Sequence, residues 1–330
     1  MPPGEFEIIE RFFRAPAEAL RRERGDVLLG IGDDAALLQV PPGVQLVAAL
    51  DTLVEGRHFP VGTSPDSLGH RALAVNLSDL AAMGAQPAWF LLSLTMPEVR
   101  EDFLEGLARG MLRLAQEHRI ALVGGDTTAG PLSVSVQVLG LVQSGTALQR
   151  NTARPGDLLF VSGTPGDAAA GLALEMGAAP GSETTAVQQQ WLRQRFLYPV
   201  PRLALGAALR GLASACIDVS DGLAADAGKL AQASGCGVRI DGERLPVSAA
   251  LQAQLGGAAL CAALTGGDDY ELCFTVAPAR VDEVAARLAN VKCQVACIGV
   301  LEEAAGVRVF DRGVPVGFDL RGYDHFSAAG

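Results

Sequence analysis

Lysine is almost missing from this chain: of 26 basic residues in 330, only Lys229 and Lys292 are lysine. Positive contacts therefore fall to arginine, whose planar fork suits bidentate recognition of phosphate or carboxylate. Acids outnumber bases, 37 to 26, for a formal net charge of -11 and a pI near 4.9. Such a balance argues against a nucleic-acid or membrane-surface partner, since both are themselves negative. No apolar run reaches the roughly 18 residues of a membrane span, and the opening MPPGEFEIIERFF is acidic where a signal peptide is basic. A cytoplasmic location is the expectation. Cysteine is absent before Cys216; the six thiols lie scattered through the second half, and the close pair Cys293 and Cys297 lacks histidine partners, so all read as reduced structural residues. A Walker loop is absent as well. Its nearest approach, GLAADAGKL, sets Gly222 and Gly228 one residue too far apart and puts Leu230 where a hydroxyl belongs. The turn GTPGD, residues 163–167, lacks the third glycine of a dinucleotide loop. Its N–H groups could meet a phosphate or simply make a turn.

What the chain has instead is spaced aspartate. GIGDDAALL carries Asp33 and Asp34, ALDTLVEGRHF Asp51, AVNLSDLAAMGA Asp79, GGDTT Asp126, and IDVSDG Asp218 and Asp221. Each alone has a plain structural reading: a helix cap for Asp33 or Asp34, an ion pair with Arg71 for Asp79, a turn acid for Asp221. Together they repel unless cations share them, and Mg²⁺ takes oxygen ligands from carboxylates and substrate phosphates. The economical reading is a site where several Mg²⁺ ions hold phosphates for transfer.

The pattern of elements is α/β with two domains, 1–150 and 151–330, divided near NTARPGD at 151–157. Residues 5–22 read as a helix, VQLVAALDTLVEG as a strand ending at Asp51, Ser67–Ala85 as a helix starting near Pro65, and Glu101–His118 as a helix with Phe103, Leu107, Met111 and Leu114 on one stripe. ALVGGDTT reads as a short strand running into glycines, and LSVSVQVLGLV as a half-buried antiparallel strand. The second domain opens with LLFVSG and the helix AAAGLALEM; GSETTAVQQQ is a surface excursion or a helix start. CIDVS, CFTVA and CQVACIGVL follow as strands, GLAADAGKLAQAS and ARVDEVAARLA as helices. No fixed-period repeat is visible.

Other residues stand near these acids in sequence. His58 follows Asp51 closely enough to touch whatever binds there, and Arg150 could reach a nucleotide phosphate. Gly266 and Gly267 precede Asp268 and Asp269, and Tyr323 could cover a heterocycle.

Taken as a set, GIGDDAAL, DTLVEGRHF, AVNLSDLAAMGA, GGDTT, RPGD, IDVSDGL, GGDDYEL and GYDHF give the chain a close, essentially full-length resemblance to the bacterial thiamine-monophosphate kinases, within the superfamily that includes aminoimidazole ribonucleotide synthetase. The resemblance implies a phosphotransferase that makes thiamine diphosphate and ADP from thiamine monophosphate and ATP, with several Mg²⁺ ions between donor and acceptor. It implies Mg²⁺ at Asp33, Asp34, Asp51, Asp79, Asp126, Asp218 and Asp221, with Asp51, Asp79, Asp126 and Asp218 catalytic. ATP would lie near Gly125, Asp126, Arg150 and Ser220, and thiamine monophosphate near His58, Asp268 and Tyr323. It further implies a homodimer whose N-terminal sheets join into a barrel-like core, with a C-terminal mixed α/β domain completing the active cleft. Two positions depart from the family pattern. Ala49 and Leu50 stand where relatives commonly have Ser-Thr, which removes a hydroxyl ligand, and Asp268 stands where they commonly have glutamate, about one methylene shorter in reach.

The acceptor phosphate of such a substrate is mostly ionised near neutral pH, with a second pKa of about 6, so direct in-line transfer needs no strong base. Among other readings, a selenophosphate synthetase would carry a reactive cysteine near its N-terminus, and a hydrogenase-maturation relative would end in a cysteine-bearing tail where this chain reads HFSAAG. Aminoimidazole ribonucleotide synthetase itself gives no evident role to His58 with Tyr323. A non-catalytic nucleotide-binding module would need no acids in both halves.

Overall fold

The computed structural model describes residues 4–317 and 322, which form two compact units. The first comprises residues up to Leu80 and Ala85–Gly145, the second Ala81–Gly84 and the chain from Thr146 onward. Each is a mixed sheet with helices, so the α/β, two-unit reading of the sequence stands.

The first unit begins with one helical run in three pieces: α1 (Glu5–Ile8), a π-helical stretch (Ile9–Arg14) and α2 (Ala15–Arg22). A two-stranded ribbon follows, β1 (Val27–Leu29) with β2 (Leu37–Leu38), interrupted by the glycine-aspartate turn. The main sheet holds β3 (Val44–Val54), β4 (Gln86–Met96), β5 (Ala121–Ala129) and β6 (Ser133–Gln143) in the order β3-β6-β4-β5. Burial along β6 alternates residue by residue, as its sequence predicts, and it pairs antiparallel with both neighbours. Helices α3 (Pro65–Ala82) and α4 (Glu101–His118) cover the sheet's inner face. Helix α3 is buried on nearly every side, its polar Ser67, His70, Arg71, Asn76 and Ser78 included. It meets α4 backbone to backbone: a Cβ on Gly110 would lie 1.9 Å from the Asp66 carbonyl oxygen. On α4 the inward stripe is Leu104, Leu107, Met111 and Leu114, with Phe103 at its margin rather than on it.

Two strand boundaries differ from the sequence reading. Strand β3 runs through Asp51 to Val54, and β5 continues through Gly124 and Gly125 to Ala129. Both acids are thus held inside hydrogen-bonded ladders. Neighbouring strands supply the partners that local propensity does not anticipate.

The second unit is built on a seven-stranded sheet: β7 (Leu158–Ser162), β8 (Ala215–Val219), β9 (Gly237–Asp241), β10 (Glu271–Val276), β11 (Val295–Glu302), β12 (Gly306–Asp311) and β13 (Val314–Val316). Their order is β13-β12-β9-β11-β7-β10-β8, all antiparallel except β9 with β12. Helices α5 (Asp167–Glu175), α6 (Ala186–Leu197), α7 (Leu203–Leu209), α8 (Leu223–Ala233), α9 (Ala249–Leu255), α10 (Ala259–Thr265) and α11 (Val281–Leu288) complete it. A capping box at Thr185 and Gln188 fixes the start of α6, so the polar stretch before it is a helix entry. Leu223, Ala227 and Leu230 of α8 pack on Val161, Ile217, Val238 and Ile298 of the sheet. A second cluster joins Ala170, Leu174, Leu192, Leu251 and Ala263 of α5, α6, α9 and α10.

Candidate active site

In the first unit, β5 carries an extra residue just before its glycines. Leu122 pairs with Phe90 but Gly124 with Leu91, so Val123 forms a bulge and the strand resumes with Gly125 and Asp126. Bulges re-aim the residues that follow them. Gly125 has φ +155°, and a Cβ there would lie 1.8 Å from the Leu92 carbonyl oxygen, so no other residue fits without moving β4. One rung then crosses all four strands: Thr52, Ser135, Ser93 and Asp126 stand opposite one another, and the Thr52 and Ser135 hydroxyls are 2.8 Å apart.

Asp126, Ser93 and Ser135 line a cavity of about 1150 Å³ together with Gly125 and the turn acids Asp33 and Asp34. The Asp34 N–H donates to the Asp33 carboxylate at 2.8 Å, which fixes that turn with both acids exposed. Among the described lining residues Arg14 is the only basic one; its guanidinium rests against Gly32 and holds Glu10 at 2.9 Å. Every side chain the sequence assigned to a metal here is a carboxylate, an oxygen donor of the kind Mg²⁺ prefers.

Elsewhere in the same unit, Asp51 of β3 is tied to α3, the helix that carries Asp79. The Asp51 N–H donates to Asn76 Oδ1 at 2.9 Å, and Asn76 Nδ2 is anchored to the Ala72 carbonyl at 3.0 Å. Asp79 lies one turn further along α3 on the same face, the one incompletely buried residue between Arg71 and Leu80. Asn76 is thus the fastener that ties this face of α3 to β3. His58, in the turn after β3, accepts the Val54 N–H on Nδ1 at 3.0 Å. That bond leaves Nε2 as the protonated nitrogen of the neutral ring.

In the second unit, Ser220 and Asp221 connect edge strand β8 to α8. Both backbone N–H groups donate to Asp226 Oδ2, at 3.0 and 2.9 Å, and the buried Asp226 is paired with Lys229 at 2.7 Å. Lys229 also holds Asp221. Gly322 lies beside Asp221; Tyr323, the residue after it, falls outside the described residues. Asp218 is partly exposed on β8, opposite Leu272. Arg150 is exposed, with its carbonyl accepting from the Ser234 hydroxyl at 3.0 Å.

Asp268 and Tyr270 both adopt left-handed backbone, φ 70° and 52°, which costs a non-glycine residue about 1 kcal/mol or more each. The strand end holds them: Asp268 N–H donates to Ser220 O and Tyr270 N–H to Val219 O, each at 2.8 Å, while the Tyr270 hydroxyl donates to Asp268 Oδ1 at 3.1 Å. Between them Asp269 turns inward and accepts the N–H groups of Gly166, at 2.6 Å, and Ala168, at 3.2 Å. The first belongs to the GTPGD turn that the sequence left open for a phosphate, and the second follows directly after it; a carboxylate of the chain takes both.

Burial pushes the Asp269 carboxyl up from its usual 3.8 to about 8, against the pull of those two N–H groups and of Arg195. A carboxyl whose folded pKa is raised stabilises the fold fully below its unfolded pKa and loses that contribution as pH climbs through the folded value. The thermal midpoint of the native chain should therefore fall, relative to Asp269→Asn, between about pH 4 and pH 8 and then run parallel to it. Calorimetry across that range checks this; midpoints that differ by a constant amount throughout would count against it.

Glu271, fully buried at the start of β10, went unnoticed in the sequence. Arg195 reaches its Oε1 at 2.7 Å, Arg202 its Oε2 at 2.6 Å, and the Ser162 hydroxyl donates to Oε2 at 2.5 Å. Burial works to raise its pKa, yet the two guanidiniums and the hydroxyl hold it below the usual carboxylate range.

Within the first unit, Asp33, Asp34 and Asp126 line the cavity, whereas Asp51 and Asp79 are not among its lining residues. Among the described residues, no three His, Cys, Asp or Glu side chains converge as a ready-made metal cage. Such a cage would be repulsive by itself, whereas Mg²⁺ commonly takes one or two carboxylates and fills its shell with water and phosphate.

Residues 32–142 match the family model for the N-terminal domain of AIR synthase related protein, and residues 154–312 the model for its C-terminal domain. The chain is 46% identical over 329 residues to thiamine-monophosphate kinase of Salmonella typhimurium, covering 99% of both sequences. Its fold is similar to the crystal structure of thiamine-monophosphate kinase from Stenotrophomonas maltophilia, with a TM-score of 0.85, 46% identity, and coverage of 96% of this chain and 99% of that one. A structure described as AaThiL complexed with AMPPCP and TMP is similar at a TM-score of 0.76 and 34% identity, over 98% of this chain and 97% of that one.

Proposed function

The chain belongs to the thiamine-monophosphate kinase family, and from that premise we propose the reaction in full: the γ-phosphoryl group of ATP passes directly, in line, to a terminal phosphate oxygen of thiamine monophosphate, giving thiamine diphosphate and ADP. The observation that carries it is the bulged strand β5, which presents Gly125 and Asp126 to the cavity walled by Asp33 and Asp34. The full-length likeness to kinases of this substrate supplies the acceptor.

We assign ATP and Mg²⁺ binding to the N-terminal unit, with Asp33, Asp34, Asp51, Asp79 and Asp126 as its oxygen donors, and give Asp218, Ser220, Asp268 and Arg150 of the C-terminal unit the remaining contacts to nucleotide and acceptor. Bound Mg²⁺ supplies positive charge that draws two anionic phosphates together and offsets charge at the bridging oxygen. Gly125 lets β5 stay against β4 where a Cβ would strike the Leu92 carbonyl, and so sets Asp126 at the cavity. The acceptor oxygen is largely ionised at neutral pH, with a pKa of about 6, so no residue needs to remove its proton. His58 donates from Nε2 to the acceptor phosphate.

Purified protein with Mg-ATP should convert thiamine monophosphate, and not free thiamine, to the diphosphate; a chiral γ-thiophosphate should be transferred with inversion. Conversion of free thiamine instead, or net retention, would overturn the respective part of the reading. Replacing His58 with Phe should raise the KM for thiamine monophosphate about tenfold, the value of one charge-assisted hydrogen bond, with the KM for ATP little changed. Equal effects on both constants would remove His58 from the acceptor site.

The outer face of the N-terminal sheet supports a homodimer. Leu46 and Leu50 on β3 are 48% and 58% exposed, beside the partly buried Leu139 and Leu141 of β6, and a second copy of the same face would cover them and close the sheets into a barrel-like core. A cytoplasmic location fits six free thiols. No described helix is long and apolar enough to cross a membrane.

A further inference from the structure

The family pattern counts Asp221 among the metal ligands, but the chain has put a cation there already. We infer that the ammonium of Lys229 takes the place of a divalent ion at Asp221, so that this enzyme assembles its reaction with one fewer metal ion than its acids imply. The inference rests on the kinase reading and goes beyond it, from the metals the family pattern implies to those this chain can hold.

Three observations carry it. Lys229 bridges Asp221 and Asp226. Asp226 is 1% exposed, and its other partners are two neutral backbone N–H groups from Ser220 and Asp221. A buried carboxylate needs a charged partner, so the ammonium is anchored by Asp226 and cannot leave to vacate Asp221. Lastly, the chain holds just two lysines, and this one stands three residues past Asp226, the helical spacing that aligns the pair on one face of α8. Lysine presents a compact charge with three donors, enough for both acids at once. A divalent ion at Asp221 would have to sit against that ammonium, with the carboxylate oxygen facing it already engaged.

The inference is tested by counting Mn²⁺ bound per chain, from the free-ion electron paramagnetic resonance signal, on full-length protein saturated with a non-hydrolysable ATP analogue. The native chain and Asp221→Asn should bind the same number. Lys229→Met should bind one more, and Lys229→Met combined with Asp221→Asn should return to the native number; Lys229→Arg, which keeps the charge, should match the native count. Loss of one ion in Asp221→Asn overturns the inference, and so does an unchanged count in a folded Lys229→Met. Should Lys229→Met fail to fold, the comparison of native chain with Asp221→Asn still decides. The count is made without turnover, so a failure of the kinase reading, seen as no diphosphate formed, is distinguished from a failure of this one.

Discussion

Asp126→Asn should lower kcat by about a hundred- to a thousandfold, the range seen when one preorganised electrostatic contact to a reacting group is removed, while the thermal midpoint moves little. The asymmetry follows from where the side chain stands. Its backbone is locked into β5 opposite Ser93, but the carboxylate is exposed to the cavity and contributes nothing to the core. Asparagine keeps the shape and the strand and removes the charge that would hold a cation. Steady-state kinetics beside a melting curve separates the two effects. A variant retaining a third or more of native kcat would show that the phosphates are held without Asp126.

Glu271→Gln should have the largest effect on stability. Glutamine preserves the volume but leaves Arg195 and Arg202 facing one another in the interior with no countercharge, and breaking such a buried pair costs about 3–5 kcal/mol. At roughly 2–4 °C per kcal/mol for a unit of this size, the midpoint of the C-terminal unit should drop by about 6–20 °C. The sign with pH runs opposite to that of Asp269. A carboxylate whose folded pKa is depressed stabilises the fold above its unfolded value, usually 4.5, and loses that contribution as pH falls through the folded one. Native protein and variant should therefore converge in stability under acid and separate towards neutrality. A midpoint within 2 °C of native at pH 7 would mean that Ser162 and solvent suffice.

These two residues also mark the limit of what could be read from the sequence. Asp126 was visible because an acid beside two glycines is an unusual arrangement whatever surrounds it. The alternation of LSVSVQVLGLV fixed β6, and the helix Glu101–His118 has the bounds its apolar spacing predicts. Glu271 was not visible, because its meaning depends on Arg195 and Arg202, 76 and 69 residues away, and burial of a charge leaves no local mark. The ends of β3 and β5 were misplaced for a related reason: a strand stops where its neighbour stops, and that neighbour is β6 or β4. The pairing of Lys229 with Asp221 was in plain view at a spacing of eight, yet only the turn of β8 into α8, closed by Asp226, brings them together. The left-handed backbone on both sides of Asp269 had little sequence signal, since aspartate adopts it only sometimes and tyrosine rarely.

The π-helical stretch Ile9–Arg14 has its own bearing on how kindred sequences should be compared. A π stretch is wider than an α-helix and holds one more residue over the same rotation, so deleting one here and letting the stretch relax to α geometry would leave Glu5–Ile8 facing as it does relative to Ala15–Arg22. Phe6 would keep its place on the cavity wall, whereas the same deletion in the flanking α segments would turn it by about 100° and take it off that wall. A one-residue gap drawn within Ile9–Arg14 in an alignment therefore leaves the donor pocket intact, while one drawn in the α segments beside it redraws that pocket without altering a single acid.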